Sequence, residues 1–164
     1  MFLWGKERIR RAGKKILEEN KDKEGIENLD IGFRVLKLDS SNMKDIYYTP
    51  QDTQQSMLED LTDNIKGDRS ELDLLFQVML DLGVELSSTI NEIEVSGKKI
   101  FSVSDNYLLA TFDRDIDDKT ITEIAKRKPV FFVMRDSSLT SDSVATNFEQ
   151  IFNTYSPETT RSVL

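Results

Sequence analysis

The sequence predicts an α/β (or α+β) fold: a mixed sheet with a C-terminal βαβαβ unit, a β-hairpin region and two central helices. Three observations predict it. From Tyr107 onward, short apolar runs alternate with helix-period segments in the order strand, helix, strand, helix, strand. That order implies parallel strands joined by right-handed crossovers. Upstream, Ile90–Val95 alternates in polarity and Lys99–Val103 returns across Ser96-Gly97, a hairpin signal. Before the hairpin, two helix-start signals each lead into a helical segment, at Thr49-Pro50-Gln51-Asp52 and at Asp68–Glu71.

The elements follow in order. In Lys6–Glu19, Ile9, Ala12, Gly13, Ile16 and Leu17 share one face at helical spacing. Arg8, Arg10, Arg11, Lys14 and Lys15 fill the rest, either as a solvated rim on a core-packed helix or as a face toward phosphate or a partner. Lys21–Asp30 is polar and interrupted by Gly25, so it reads as a linker. Two segments are therefore expected: 1–30, a basic linking helix with its linker, and 31–164, the main domain.

Gly32–Leu38 alternates apolar and basic residues and reads as a strand, with Phe33, Val35 and Leu36 or Leu38 pointing inward. Asp39–Asn42 is a turn cluster. A helix is expected from Thr49 to about Lys66, broken at Gly67-Asp68. Leu72–Gly83 (LDLLFQVMLDLG) is a strongly apolar helix closed by its glycine, with Leu72, Leu75, Phe76, Met79 and Leu80 as its buried stripe. The hairpin follows, then a turn at Asp105-Asn106 and an apolar strand over Tyr107–Phe112. Lys119–Lys128 is a helix opened by Asp117 or Asp118. Val130–Met134 is continuously apolar, which suggests burial on both faces. Ser143–Tyr155 is a helix with Val144, Phe148, Ile151 and Phe152 on one side, and Thr159–Leu164 is a final strand.

Composition restricts the chemistry. Apolar content is 38% and charged content 32%, the balance of a globular chain. No apolar run approaches the roughly 20 residues that span a bilayer. The start, MFLWGKERIRR, lacks the order of charge and apolar run that a signal peptide needs, so the cytoplasm is the expected compartment. There is no cysteine and no histidine. Thiolate nucleophiles, disulfides, Ser-His-Asp triads and His-ligated zinc are excluded on that ground alone. The net charge of −8 is uneven: residues 1–23 carry eight basic and four acidic side chains, and the rest is strongly acidic. An acidic body repels a phosphate backbone, so only the first helix has the sign for nucleic acid.

Few constellations could carry chemistry. Asp113 and Asp136 each fall just past a strand end, where open α/β sheets place ligands, and two carboxylates there could hold Mg²⁺. The competing reading is capping. Asp136-Ser137-Ser138 and Ser141-Asp142-Ser143 offer side-chain oxygens to turn and helix-start N–H groups. Asp113, Asp115 and Asp117 have the spacing of a calcium loop. Asp118 then stands where glycine is needed and Ile124 where a bidentate Glu is needed, so that reading is set aside. Tyr47-Tyr48 could stack on bases, although packing beside a turn is the simpler role.

Five blocks, GKERIRRAGKKI, GFRVLKLDSSNMKDIYY, ELDLLFQVMLDLGVELS, VFFVMRDSSLTSDSVATNFEQIF and SPETTRSVL, together resemble the C-terminal region of the adenine-specific DNA methyltransferase (Mod) subunit of type III restriction–modification systems. The resemblance runs from Gly5 to Leu164. It implies an intact parent that is an AdoMet-dependent N6-adenine methyltransferase, with an F-x-G-x-G-type AdoMet loop and a D-P-P-Y-type catalytic motif upstream of Gly5. This sequence has no G-x-G, and its three prolines, Pro50, Pro129 and Pro157, are isolated. No catalytic or cofactor residue therefore maps onto it. The resemblance implies a non-catalytic segment without its own cofactor. Its partners would be the methyltransferase core, a second Mod subunit and/or the restriction subunit, with DNA met only through the intact complex, no membrane, and association of two copies. Arg8, Arg10, Arg11, Lys14, Lys15, Arg135, Asp136 and Asp142 are the candidates to face a partner or DNA. An autonomous protein-interaction module is the alternative, and a Mg²⁺-dependent enzyme using Asp113 and Asp136 is the third.

Overall fold

A computed structural model describes residues 2–44, 64–139 and 142–164. The chain divides into two compact units, Met1–Asp39 and Ser40–Leu164. The boundary expected after Asp30 falls inside the first of them.

The first unit is helix α1 (Phe2–Glu19), a turn, a 3-10 turn at Ile26–Asn28 and an extended segment. Gly25 takes a φ of 81°, the left-handed conformation that lets the chain reverse without steric cost. The extended segment returns along the helix at Gly13, where an added Cβ would come within 3.1 Å of Ile31 Cβ. The expected strand over Gly32–Leu38 is extended but joins no ladder. Alternation favours an extended backbone; a strand also needs a neighbour to take its N–H and C=O groups, which the pattern does not supply. Nor is α1 packed into a core: no described residue of 4–39 is buried.

The second unit carries a five-stranded sheet in the order β1-β2-β3-β4-β5. The strands are β1 (Ile90–Val95), β2 (Lys98–Val103), β3 (Leu108–Thr111), β4 (Phe131–Met134) and β5 (Thr160–Val163). The first three run antiparallel and the last three parallel, so the sheet is mixed as expected. Ser96 and Gly97, at φ 52° and 79°, form the two-residue turn whose twist matches a hairpin. The other helices among the described residues are α2 (Glu71–Asp81), α3 (Asp118–Lys126) and α4 (Asp142–Tyr155).

The sheet is covered on both faces. Leu74, Leu75, Val78 and Met79 of α2 pack on Phe101, Val103, Leu108, Ala110 and Val133. On the opposite face, Ile121, Ile124 and Ala125 of α3 and Phe148 and Phe152 of α4 pack on Ile100, Leu109, Phe132 and Met134. Two successive crossovers of one hand carry both helices to the same side. The central strands are buried on both faces, which explains the near-continuous apolar runs LLAT and FFVM.

Two expectations need correction. The buried stripe of α2 is Leu74, Leu75, Val78 and Met79, whereas Leu72 and Leu80 are 43% and 63% exposed. Leu75 and Met79 are buried as expected and Phe76 packs against the core, but the stripe is turned toward Leu74 and Val78, because leucines on both sides satisfy the spacing equally. The helix expected to reach Lys66 does not: Ile65 forms an antiparallel bridge with Met43. The stretch 45–63, including Tyr47-Tyr48 and the Thr49 start signal, lies outside the described residues.

Candidate functional site

Asp113 and Asp136 occupy equivalent places on adjacent parallel strands. Thr111 pairs with Met134, and each aspartate follows its strand's last paired residue by two positions. The Asp113 carboxylate is engaged: its Oδ2 accepts the backbone N–H of Lys99 at 2.7 Å. Beside it, Thr111 Oγ1 donates to the Lys99 carbonyl at 2.9 Å. The two side chains continue the β2–β3 ladder where backbone pairing stops. Asp136 is exposed and starts a 3-10 turn over Asp136–Ser138; its N–H donates to the Leu164 carbonyl at 3.0 Å. Among the described residues, no group of three or more His, Cys, Asp or Glu side chains is placed to hold a metal ion.

The other acidic residues of this edge also have backbone work. Asp117, rather than Asp118, caps α3: its Oδ1 accepts from Thr120 N at 2.8 Å and from Thr120 Oγ1 at 2.6 Å. These bonds, the hydroxyl's first, hold its carboxyl below the usual value. Ser70 and Asp73 form a reciprocal cap on α2, and the Ser70 hydroxyl and N–H lower the Asp73 carboxyl in the same way. Glu71 pairs with Lys99, and this hydrogen bond raises the lysine above its ordinary value.

Arg135 is half-buried at the end of β4. Asp142 opens α4, and its side chain lies outside those described. A shallow groove between α3 and α4 is lined by Asp118, Asn147, Gln150, Ile151, Thr154 and Tyr155. Across it Asn147 Nδ2 donates to Asp118 Oδ2 at 2.8 Å. Sequence reasoning missed this pairing because its members are 29 residues apart.

Arg8, Arg10, Arg11, Lys14 and Lys15 of α1 are exposed and Lys6 is half-buried, but they do not act as one positive face. Arg11 Nε lies 2.8 Å from Glu7 Oε1, and Lys15 Nζ lies 3.5 Å from Glu19 Oε1. The Arg11 hydrogen bond lowers the Glu7 carboxyl. Residues 1–39 hold ten basic and eight acidic side chains, a net charge of only +2, and the remainder carries −10.

The most distinctive surface is apolar. In the first unit Trp4, Ile9, Ile16, Leu29, Val35, Leu36 and Leu38 stand exposed, from 46% at Ile16 to 97% at Leu38. Single exposed apolar residues are ordinary; here several lie on one 18-residue helix and the segment that follows it. The signal was present in the alternation of GFRVLKL, but an inward-facing strand and an unpartnered one read alike. Comparison with protein-family models, with curated proteins and with solved structures gives no match. Among the described residues no helix is long and apolar enough to cross a membrane.

Proposed function

We propose that the chain is an assembly segment. It would be the C-terminal region of a type III modification methyltransferase, non-catalytic itself, making contacts with the AdoMet-binding core, a second Mod subunit or the restriction subunit. The five-block resemblance supports the family. The role rests on one observation: residues 4–39 have no buried member and expose a row of large apolar side chains. Water contact with such a surface is unfavourable by about 25 cal/mol per Å², so a partner that covers it gains that free energy.

Co-expression tests this. The chain, tagged, is expected to capture the methyltransferase core or restriction subunit of its own system, and Ile9→Asp with Ile16→Asp to abolish the capture. Undiminished capture by that variant, or none by the parent chain, overturns the reading. AdoMet is expected to give no heat of binding to the isolated chain in calorimetry.

A second reading has its own support. Among the described residues, 40–164 contain a five-stranded sheet with both faces covered, the organisation of an independently folding module. As an autonomous interaction module the chain would use the same apolar surface on a different partner. An upstream reading frame with the F-x-G-x-G and D-P-P-Y motifs favours the first reading; its absence favours the second.

A further inference from the structure

Helix α4 carries two stripes. Phe148 and Phe152 turn to the sheet and join the core. Asn147, Gln150, Ile151, Thr154 and Tyr155 follow at the i, i+3, i+4, i+7, i+8 spacing of a neighbouring face. With Asp118 of α3 these five line a groove of about 330 Å³, near the lower end of the sizes that hold small groups. The two helices run side by side. Asn147 meets Asp118 at the start of α3, and Tyr155 meets Lys126 at its end, with the ammonium 5.8 Å from the ring centre. The groove therefore follows α3 for about 12 Å, the rise of eight residues. It has a carboxylate at one end and a cation at the other.

The Asp118 carboxylate is short of partners. Such a group can accept about four hydrogen bonds. It receives one, from Asn147 Nδ2 to Oδ2 at 2.8 Å. Oδ1 is buried without a donor. Among the described residues no lysine or arginine pairs with it: Lys126 is taken by Glu123 at 2.8 Å and Arg161 by Glu149 at 3.0 Å. The half-buried carboxylate has thus lost part of its water and gained little in return, which is unfavourable until a donor arrives. Its neighbours supply further acceptors. Only an amide nitrogen can donate to a carboxylate, so the Asn147 amide is oriented with its Oδ1 left to accept. The exposed Gln150 carboxamide adds another acceptor, and half-buried Ile151 gives an apolar strip between the two ends.

We propose that this groove binds a guanidinium group, the side chain of an arginine presented by a partner polypeptide. The inference goes beyond the assembly reading and does not use the apolar surface of the first unit. Charge complementarity selects a cation, because the carboxylate is unpaired and the unit around it carries −10. Geometry favours arginine over lysine. Its planar fork can give two N–H groups to Asp118 and a third to Asn147 or Gln150, whereas an ammonium offers its donors from a single point. The three-carbon stem lies along Ile151 while the charged head reaches the carboxylate. Like-charge repulsion from Lys126 keeps the head at the Asp118 end. A metal ion fits less well, since among the described residues no three acidic side chains converge to hold one.

The probe is N-acetyl-arginine amide, titrated into the full chain and followed by amide nitrogen–proton correlation spectra. Saturable shifts are expected at Asp118, Asn147, Ile151 and Tyr155, with a millimolar dissociation constant that suits one ion pair and a short apolar contact. N-acetyl-lysine amide is expected to bind more weakly. N-acetyl-citrulline amide, of the same shape without the charge, is expected not to saturate. Asp118→Asn keeps the side-chain shape and is expected to raise the dissociation constant about five- to tenfold. Gln150→Glu adds a second carboxylate at an exposed position and is expected to tighten binding about threefold. A gain of this kind does not arise from misfolding. No saturable shift, shifts spread over the acidic surface, citrulline bound as well as arginine, or an Asp118→Asn variant that binds like the parent overturns the inference. Capture of the methyltransferase core without arginine binding overturns the groove alone; arginine binding without capture overturns the assembly reading alone.

Discussion

The backbone N–H of Lys99 on β2 is held by the carboxylate of Asp113, 14 residues along the chain, at 2.7 Å. Thr111 Oγ1 takes up the carbonyl of the same lysine at 2.9 Å. Two side chains thus do for Lys99 what a strand backbone would have done, and the β2–β3 ladder is continued by side chains rather than by another residue pair. The same lysine's ammonium reaches Glu71 at the start of α2. One residue therefore ties the hairpin, the end of β3 and the first turn of α2 together.

Asp113→Ala is expected to destabilise the fold by about 1–3 kcal/mol, because it strands a part-buried N–H without an acceptor. Asp113→Asn keeps an acceptor oxygen and is expected to lose less than half as much. Urea unfolding followed by circular dichroism measures both. The same samples test the two-carboxylate Mg²⁺ reading. The melting temperature is expected not to change with millimolar Mg²⁺; a rise that Asp136→Ala removes would restore a metal role.

Stability is expected to fall on the acid side through the helix caps. Asp73 and Asp117 both have folded pKa values below their unfolded ones, through hydrogen bonds from Ser70 and Thr120. A carboxyl lowered in this way contributes stability that is present above its unfolded pKa of about 3.9 and lost as pH falls through the folded value. On the alkaline side Lys99 is raised, first by its hydrogen bond to Glu71. Its contribution is present below about 10.4 and lost as pH rises through the higher folded value. Urea midpoints measured across pH should show a plateau between these limits. Asp117→Ala is expected to lower the plateau by about 1 kcal/mol, the usual worth of a helix N-cap.

The face of α2 gives a sharp mutational contrast. Leu75 and Met79 are fully buried, whereas Leu72 and Leu80 are largely exposed. Leu75→Ala is expected to cost about 2–5 kcal/mol. Leu72→Gln and Leu80→Lys are expected to stay within roughly 0.5 kcal/mol of the parent. Equal losses at all three positions would mean that the helix packs by the face its sequence first suggests.

The same helix marks what was legible. Its existence and its glycine stop could be read from LDLLFQVMLDLG; its buried face could be read only in part, Leu75 and Met79 but not Leu74 and Val78, because leucines on both sides satisfy the period equally. The hairpin was legible because Ser96-Gly97 leaves little choice of turn. The parallel half was legible because alternating apolar and helical segments admit few arrangements. The role of Asp113 was not, because its partner is a backbone amide, and every residue has one of those. The segment 32–38 shows the opposite limit: its alternation reads as a strand, but alternation names no neighbour, and among the described residues the segment joins no ladder.

Three aromatic rings hold α4 to the sheet. Phe132 and Phe152 stack with centroids 5.3 Å apart, and Phe148 meets Phe152 edge-on at 5.1 Å. All three are 4% exposed or less. Arg161 on β5 lies over the Phe152 ring at 5.8 Å and pairs with Glu149 at 3.0 Å. Phe152→Ala is expected to cost about 3–5 kcal/mol, and Phe152→Leu about a third of that. Arg161→Ala, whose ion pair is partly solvated, is expected to cost about 1 kcal/mol or less. Chemical denaturation of the three variants ranks them; an Arg161 loss as large as that of Phe152 would make the charged group, not the rings, the anchor of the helix.

Binding of duplex DNA by the isolated chain is expected to be weak. The candidates Arg8, Arg10, Arg11, Lys14 and Lys15 lie on a unit whose net charge is only +2, in a chain whose other unit carries −10. Arg11 and Lys15 are each partly neutralised by a glutamate one helical turn away. Phosphate binding draws its free energy from counterion release, and each unneutralised cation adds about one unit to the salt slope. At most three or four such contacts are available here. Fluorescence anisotropy at physiological salt should give a dissociation constant no tighter than roughly 10⁻⁴ M, with a shallow salt dependence. Glu7→Gln with Glu19→Gln should tighten binding and steepen that slope by releasing the two paired cations. Micromolar affinity that survives Arg8→Ala, Arg10→Ala and Lys14→Ala together would move the nucleic-acid surface away from α1 altogether.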